Sequence, residues 1–160
     1  MQLSDMEVEV YPREDAQTRL VNIKYIEDYT VVDTYIGKAE NCPEELYPTK
    51  LRNPYSIAEH GRDSAIEQFA AYFYHRYITD EEFRETVHKC QGNVLGGWNY
   101  PSKCHGEIII DLLLQIDSSS NGTEVLAYIN EELAKLDVQL LDIEGLKYQE
   151  EAMERIEEII

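Results

Sequence analysis

The stretch Gly92-Asn-Val-Leu-Gly-Gly-Trp-Asn-Tyr-Pro-Ser-Lys-Cys-His-Gly106 carries the strongest local signal in the chain. A short apolar run, Val94-Leu95, is framed by glycines. A lone Trp98, a turn at Tyr100-Pro101 and the adjacent pair Cys104-His105 follow. Most residues from Glu107 to Ile116 are then Ile or Leu. Periodicity alone does not separate a buried helix from a buried strand in such a run. The Pro-Ser-Lys-Cys-His-Gly turn ahead of it points to a helix starting near Cys104. The stretch therefore reads as strand, turn, helix, and it puts a thiol and an imidazole at a strand-to-helix junction, where small α/β proteins keep their chemistry.

Working outward, Met6, Val8 and Val10 alternate with glutamates, the pattern of a half-buried edge strand that Pro12 stops. Arg19 to Tyr25 and Val31 to Ile36 are rich in β-branched and aromatic residues and predict two further strands, the second closed by Gly37. Residues 39–50 read as an exposed loop. Gly61-Arg62-Asp63 opens a helix through about Tyr77, whose aromatic residues spread over more than one side. Thr79 with Glu82 reads as a capping box that starts a second helix towards Cys90.

Downstream, residues 117–122 (Asp-Ser-Ser-Ser-Asn-Gly) give the clearest linker signal. Leu126, Ile129, Leu133 and Leu136 then form one helical stripe, Val138 to Ile143 a strand, and Leu146 to Ile159 a final acidic helix. The expected architecture is α/β: a small mixed-sheet sandwich with helices on both faces, plus a C-terminal helix-strand-helix extension. The boundaries are an acidic edge strand at 1–18, an α/β domain at 19–116, a linker at 117–122 and an acidic module at 123–160.

The chain has 160 residues and a formal net charge of −18. The charge is uneven: residues 117–160 hold twelve acids and three bases, whereas residues 19–116 hold fifteen acids and ten bases. Such acidity argues against non-specific binding to nucleic acid or anionic membranes. Three readings of it stay open: solvated acidic helices at the edge of a domain, a salt-adapted host, or an inhibitor that imitates DNA. Three widely spaced cysteines (Cys42, Cys90, Cys104) suit free thiols in a reducing compartment. With an acidic start and no long apolar run, the expected location is the cytoplasm.

Five short motifs occur in order: Val21-Asn22-Ile23-Lys24, Tyr35-Ile36-Gly37-Lys38, Asn53-Pro54-Tyr55, Gly61-Arg62, and the Gly92–Gly106 stretch. Together, over roughly residues 20–116, they resemble the family called domain of unknown function 4326 (DUF4326). Its pattern runs Val-Asn-Ile-Arg, Tyr-Ile-Gly-Arg, Trp-Gly-Asn-Pro-Phe, Gly-x-Arg, then Gly-Lys-x-Leu-Gly-Cys-Trp-Cys-x-Pro-x-x-Cys-His-Gly. The resemblance implies a small α/β fold and frequent carriage by viruses and mobile elements, with no established activity. This chain departs from it at Gly97-Trp98-Asn99, where two of three motif cysteines are replaced, and at Leu51-Arg52, which stands for Trp-Gly. Residues 39–50 read as an insertion.

Two readings of the conspicuous residues follow. In the first, Cys104 is a nucleophile whose pKa falls at a helix N-terminus, with His105 or a nearby histidine as base. Lys38 and Arg62, both at element ends, clamp a phosphate or nucleotide with Asn53, and Trp98 stacks on a base. In the second, Cys104 packs under the sheet, His105 caps backbone groups, and the cations pair with surface acids. A metal site is not expected, because Cys104 and His105 alone remain of the family's cysteine-histidine set. No GxGxxG fingerprint and no P-loop support standard dinucleotide binding or NTP hydrolysis. No cofactor is assigned. The partners expected are a phosphate-containing small molecule, and a second copy or another protein through the C-terminal module. A non-enzymatic interaction or assembly protein is the competing class.

Overall fold

The computed structural model describes residues 8–12 and 16–136. Its centre is a four-stranded mixed sheet of β1 (Val10–Tyr11), β2 (Arg19–Asn22), β3 (Thr34–Tyr35) and β4 (Val94–Gly97), in the order β1-β2-β4-β3. β1 pairs antiparallel with β2. β2 and β3 run parallel to β4 on either side, with Val21 opposite Gly96 on one flank and Tyr35 opposite it on the other. The short apolar run before the glycines is thus the middle strand, paired along both edges. All four of its residues are buried.

Leu20 and Leu95 point to one face, where they join the larger core with α2 (Arg62–Thr79), α3 (Glu81–His88), α4 (His105–Ser118) and α5 (Gly122–Ala134). On the opposite face Val21 and Val94 pack with Ile23, Ile26, Val32 and Tyr35. That side is closed by 3-10 turns at Ile23–Tyr25 and Tyr29–Val31 together with Cys42 and Leu46 from the loop. The α/β sandwich is therefore covered by α-helices on one side and by 3-10 turns on the other.

Several boundaries move for local reasons. The strand expected over Arg19–Tyr25 stops at Asn22, because the Asn22 side chain accepts the Lys24 N–H and starts a 3-10 turn. The strand expected over Val31–Ile36 shrinks to Thr34–Tyr35 after Asp28 does the same to Thr30. Gly61 separates a four-residue helix α1 (Ile57–His60), not expected from the sequence, from α2. Its φ of 79° is a conformation that favours glycine. The cap of α3 is Asp80, which accepts the Phe83 N–H at 3.1 Å, and not Thr79. α2 runs through Thr79, so that hydroxyl bonds back to the His75 carbonyl.

The Glu107–Ile116 run is helical, as the turn before it predicts, and Ile109, Ile110, Leu112 and Leu113 are fully buried in it. α5 begins at Gly122, capped by Asn121. It sends Val125, Leu126, Ile129 and Leu133 into the same core. The strand and final helix expected over residues 138–159, and Met6, lie outside the described residues.

The centre of β4 tolerates no side chain at one of its two glycines. A Cβ on Gly96 would lie 2.8 Å from a Val32 methyl and 2.9 Å from Ile23, whereas on Gly97 the nearest atom is 3.4 Å away. Gly96→Ala is expected to destabilise the fold by about 1–3 kcal/mol through overpacking. Gly97→Ala is expected to stay within about 1 kcal/mol of the parent, since a methyl fits there and Ala loses less entropy than Gly. Urea denaturation of the two variants checks the contrast.

Candidate functional site

In a parallel sheet the carboxyl ends of the strands leave a crevice between diverging loops. Here β3 is followed by Ile36-Gly37-Lys38 and the neighbouring β4 by Trp98-Asn99. The loop after β4 is held from β2: the buried Asn22 amide donates to the Trp98 carbonyl at 3.1 Å and to the Tyr100 carbonyl at 2.8 Å. The Tyr35 hydroxyl links the two loops. It accepts the Trp98 indole N–H at 3.0 Å and donates to the Lys38 carbonyl at 2.7 Å. Gly37 makes room for this link, since a Cβ there would collide with the Tyr35 hydroxyl.

Between these loops, the 53–58 segment and the start of α4 lies a cavity of about 600 Å³. That is within the ~300–1,000 Å³ typical of small-molecule sites. Lys38, Asn53, Trp98, Cys104 and His105 all contribute to its wall. Lys38 is exposed at the mouth and Trp98 is half-buried. With its N–H spent on Tyr35, the indole has only its carbon surface left to offer a ligand.

Asn53 is already occupied. Its oxygen accepts the Tyr55 N–H at 2.8 Å and its amide reaches the Ala65 carbonyl of α2, so it shapes the wall and orders the 53–58 segment. Arg62 is not part of the wall. Its guanidinium donates to the Lys103 carbonyl at 2.8 Å, beside the cavity, and its charge acts on Cys104. Arg52 is exposed and also outside the wall. Asn41 and Asn99 line the cavity and were not singled out from the sequence. Neither makes a side-chain hydrogen bond among the described residues.

The Cys104-His105 pair sits at the N-terminus of α4, where the sequence places it, but burial governs its chemistry. Cys104 is 4% exposed. Burial pushes its thiol up to about 11, against the pull of the Gly106 and Glu107 amides and of Arg62. A helix end contributes roughly 0.3–1 kcal/mol, less than about one pKa unit, whereas full burial moves a group by up to about 3–5 units. The thiol keeps its proton at neutral pH.

His105 is buried, with its ring edge-on to Phe69 at 4.9 Å between centroids. Its Nε2 lies 2.7 Å from the Ile36 carbonyl, which accepts the ring N–H, and the Leu51 backbone also favours the protonated ring. Burial lowers its pKa to about 4. The neutral ring ties the start of α4 to the end of β3 through its one N–H, on Nε2. Among the described residues no three His, Cys, Asp or Glu side chains group to hold a metal ion, and no helix is long and apolar enough to cross a membrane.

The residues that meet at this cavity come from motifs spread over most of one sequence family. Residues 21–115, more than half of the chain, match the family described as Domain of unknown function (DUF4326). The chain belongs to that family. No curated protein and no solved structure matches the chain. The DUF4326 motifs acquire distinct physical roles here. Asn22 of the first holds the loop after β4, Tyr35 and Gly37 of the second lock the strand ends, and Asn53 of the third orders the cavity wall. Tyr35 and Asn22 escaped the sequence reading as site residues because a strand tyrosine and a strand-end asparagine look like ordinary core and turn. Their signal was their place in the motifs Tyr35-Ile36-Gly37-Lys38 and Val21-Asn22-Ile23-Lys24.

Two outcomes are expected. In the native protein, Cys42, half-buried, is modified by a maleimide, while Cys90 and Cys104 react only on unfolding, as mass spectrometry of the labelled peptides would read. Tyr35→Phe removes both hydrogen bonds while keeping the ring. It is expected to destabilise the fold by about 1–3 kcal/mol and to shift the emission of Trp98, the chain's single tryptophan.

Proposed function

We propose that this chain is a binding module whose cavity, at the carboxyl ends of β3 and β4, takes a small phosphate-bearing ligand such as a nucleotide. One observation carries the reading: Lys38, Asn53, Trp98 and the Cys104-His105 turn, far apart in sequence, line a single cavity. In this reading Lys38 supplies the charge for phosphate at the mouth, Trp98 offers a face for stacking, and Arg62 braces the Lys103 backbone alongside. Cys104 and His105 form the floor. The burial of the thiol favours reversible binding over covalent catalysis. A family carried by mobile elements suits a viral or prophage gene, and three free thiols suit the cytoplasm.

The second reading is an acidic interaction or assembly protein. It too is favoured by the buried thiol, and by the twelve acids against three bases in residues 117–160. A nucleotide titration followed through Trp98 fluorescence separates the two. The binding reading expects saturable quenching, a matching rise in melting temperature, and affinity about tenfold weaker in Lys38→Ala. Unchanged fluorescence and melting temperature across the panel would leave the interaction reading.

A further inference from the structure

We propose that the ligand carries a single phosphate and binds without a divalent cation: a nucleoside monophosphate, not a metal-chelated triphosphate. The inference rests on the cavity being a nucleotide site and concerns which nucleotide it selects. Among the described residues no carboxylate lines the cavity, and Lys38 is the one cation of its wall. Proteins that take triphosphates hold the accompanying Mg²⁺ through one or two carboxylates. This wall offers none. It also has no second cation to offset two further phosphoryl groups, because Arg62 stands outside it with its guanidinium on the Lys103 carbonyl.

What the wall does supply suits the rest of a mononucleotide. The indole of Trp98 presents carbon surface, since its N–H is fixed by Tyr35. On the same wall Asn99, next to Trp98 in the chain, and Asn41, in the turn after Lys38, carry side-chain amides with no hydrogen bond among the described residues. A carboxamide pairs one donor with one acceptor, the arrangement that a nucleobase edge matches. Lys38 is exposed and Trp98 half-buried, so the phosphate faces solvent at Lys38 and the base lies on the indole.

Calorimetric titration of the full chain with AMP, GMP, CMP, UMP, their nucleosides and their triphosphates, each with and without Mg²⁺, tests this. At least one monophosphate is expected to bind about tenfold or more tighter than its nucleoside, and tighter than its triphosphate, with no effect of Mg²⁺. Asn99→Asp, which puts a carboxylate into the wall, is expected to weaken the monophosphate about tenfold at low salt. Lys38→Ala is expected to bring monophosphate and nucleoside to equal affinity, with circular dichroism confirming that both variants fold. A triphosphate that binds tighter than its monophosphate, or only with Mg²⁺, overturns the inference while leaving a nucleotide site. Absence of binding by every nucleotide overturns the site reading itself.

Discussion

The hydroxyl of Tyr35 holds the cavity end of this molecule together. It spends its lone pair on the Trp98 indole and its proton on the Lys38 carbonyl, so the loops after two neighbouring strands cannot move independently. The tyrosine itself is 1% exposed, so both bonds start from a buried hydroxyl. The arrangement imposes its own sequence requirements. Gly37 must lack a side chain for the tyrosine to reach past it, and Gly96 must lack one for Ile23 and Val32 to close over the middle strand. Two glycines and one tyrosine thus fix where the cavity is and how wide its walls stand.

The Cys104-His105 turn shows why position at a helix terminus is a weak guide to reactivity. A thiolate there would gain from backbone amides and from Arg62, but the same packing that brings α4 onto the sheet removes the water a thiolate needs. Gly106 records how close that packing is: a Cβ there would sit 2.8 Å from side chains of both Leu20 and Ile36. His105 answers the same constraint by donating its one N–H to the Ile36 carbonyl at the end of β3. The pair acts as a fastening between helix and sheet.

The architecture was legible where one signal was unopposed. Val94-Leu95 between glycines, the apolar run after the Cys104 turn, and the aromatic-rich segment after Gly61 became β4, α4 and α2. Strand lengths were not legible where Asn22 and Asp28 turn their own side chains onto amides two residues on and divert the backbone into 3-10 turns. α1 is too short for periodicity to reveal. At the cavity, Lys38 and Trp98 could be picked out as rare residue types at element ends. Asn53 could be picked out too, but its side chain proved to be consumed by Tyr55 and Ala65. Arg62 was legible near the right turn, but its guanidinium goes to the Lys103 carbonyl and not into the wall. The role of Tyr35 depends on a contact 63 residues distant, which no local pattern encodes.

The carboxylate-free wall has a kinetic side. A chain of net charge −18 surrounds itself with a field that repels an approaching anion, and at the cavity Lys38 is the charge that opposes it among the described wall residues. Dissolved salt shortens the reach of that repulsion from tens of ångströms to about 8–10 Å near physiological ionic strength. An anionic visitor would therefore arrive faster in brine than in dilute buffer, the reverse of the usual steering of anions to a basic cleft.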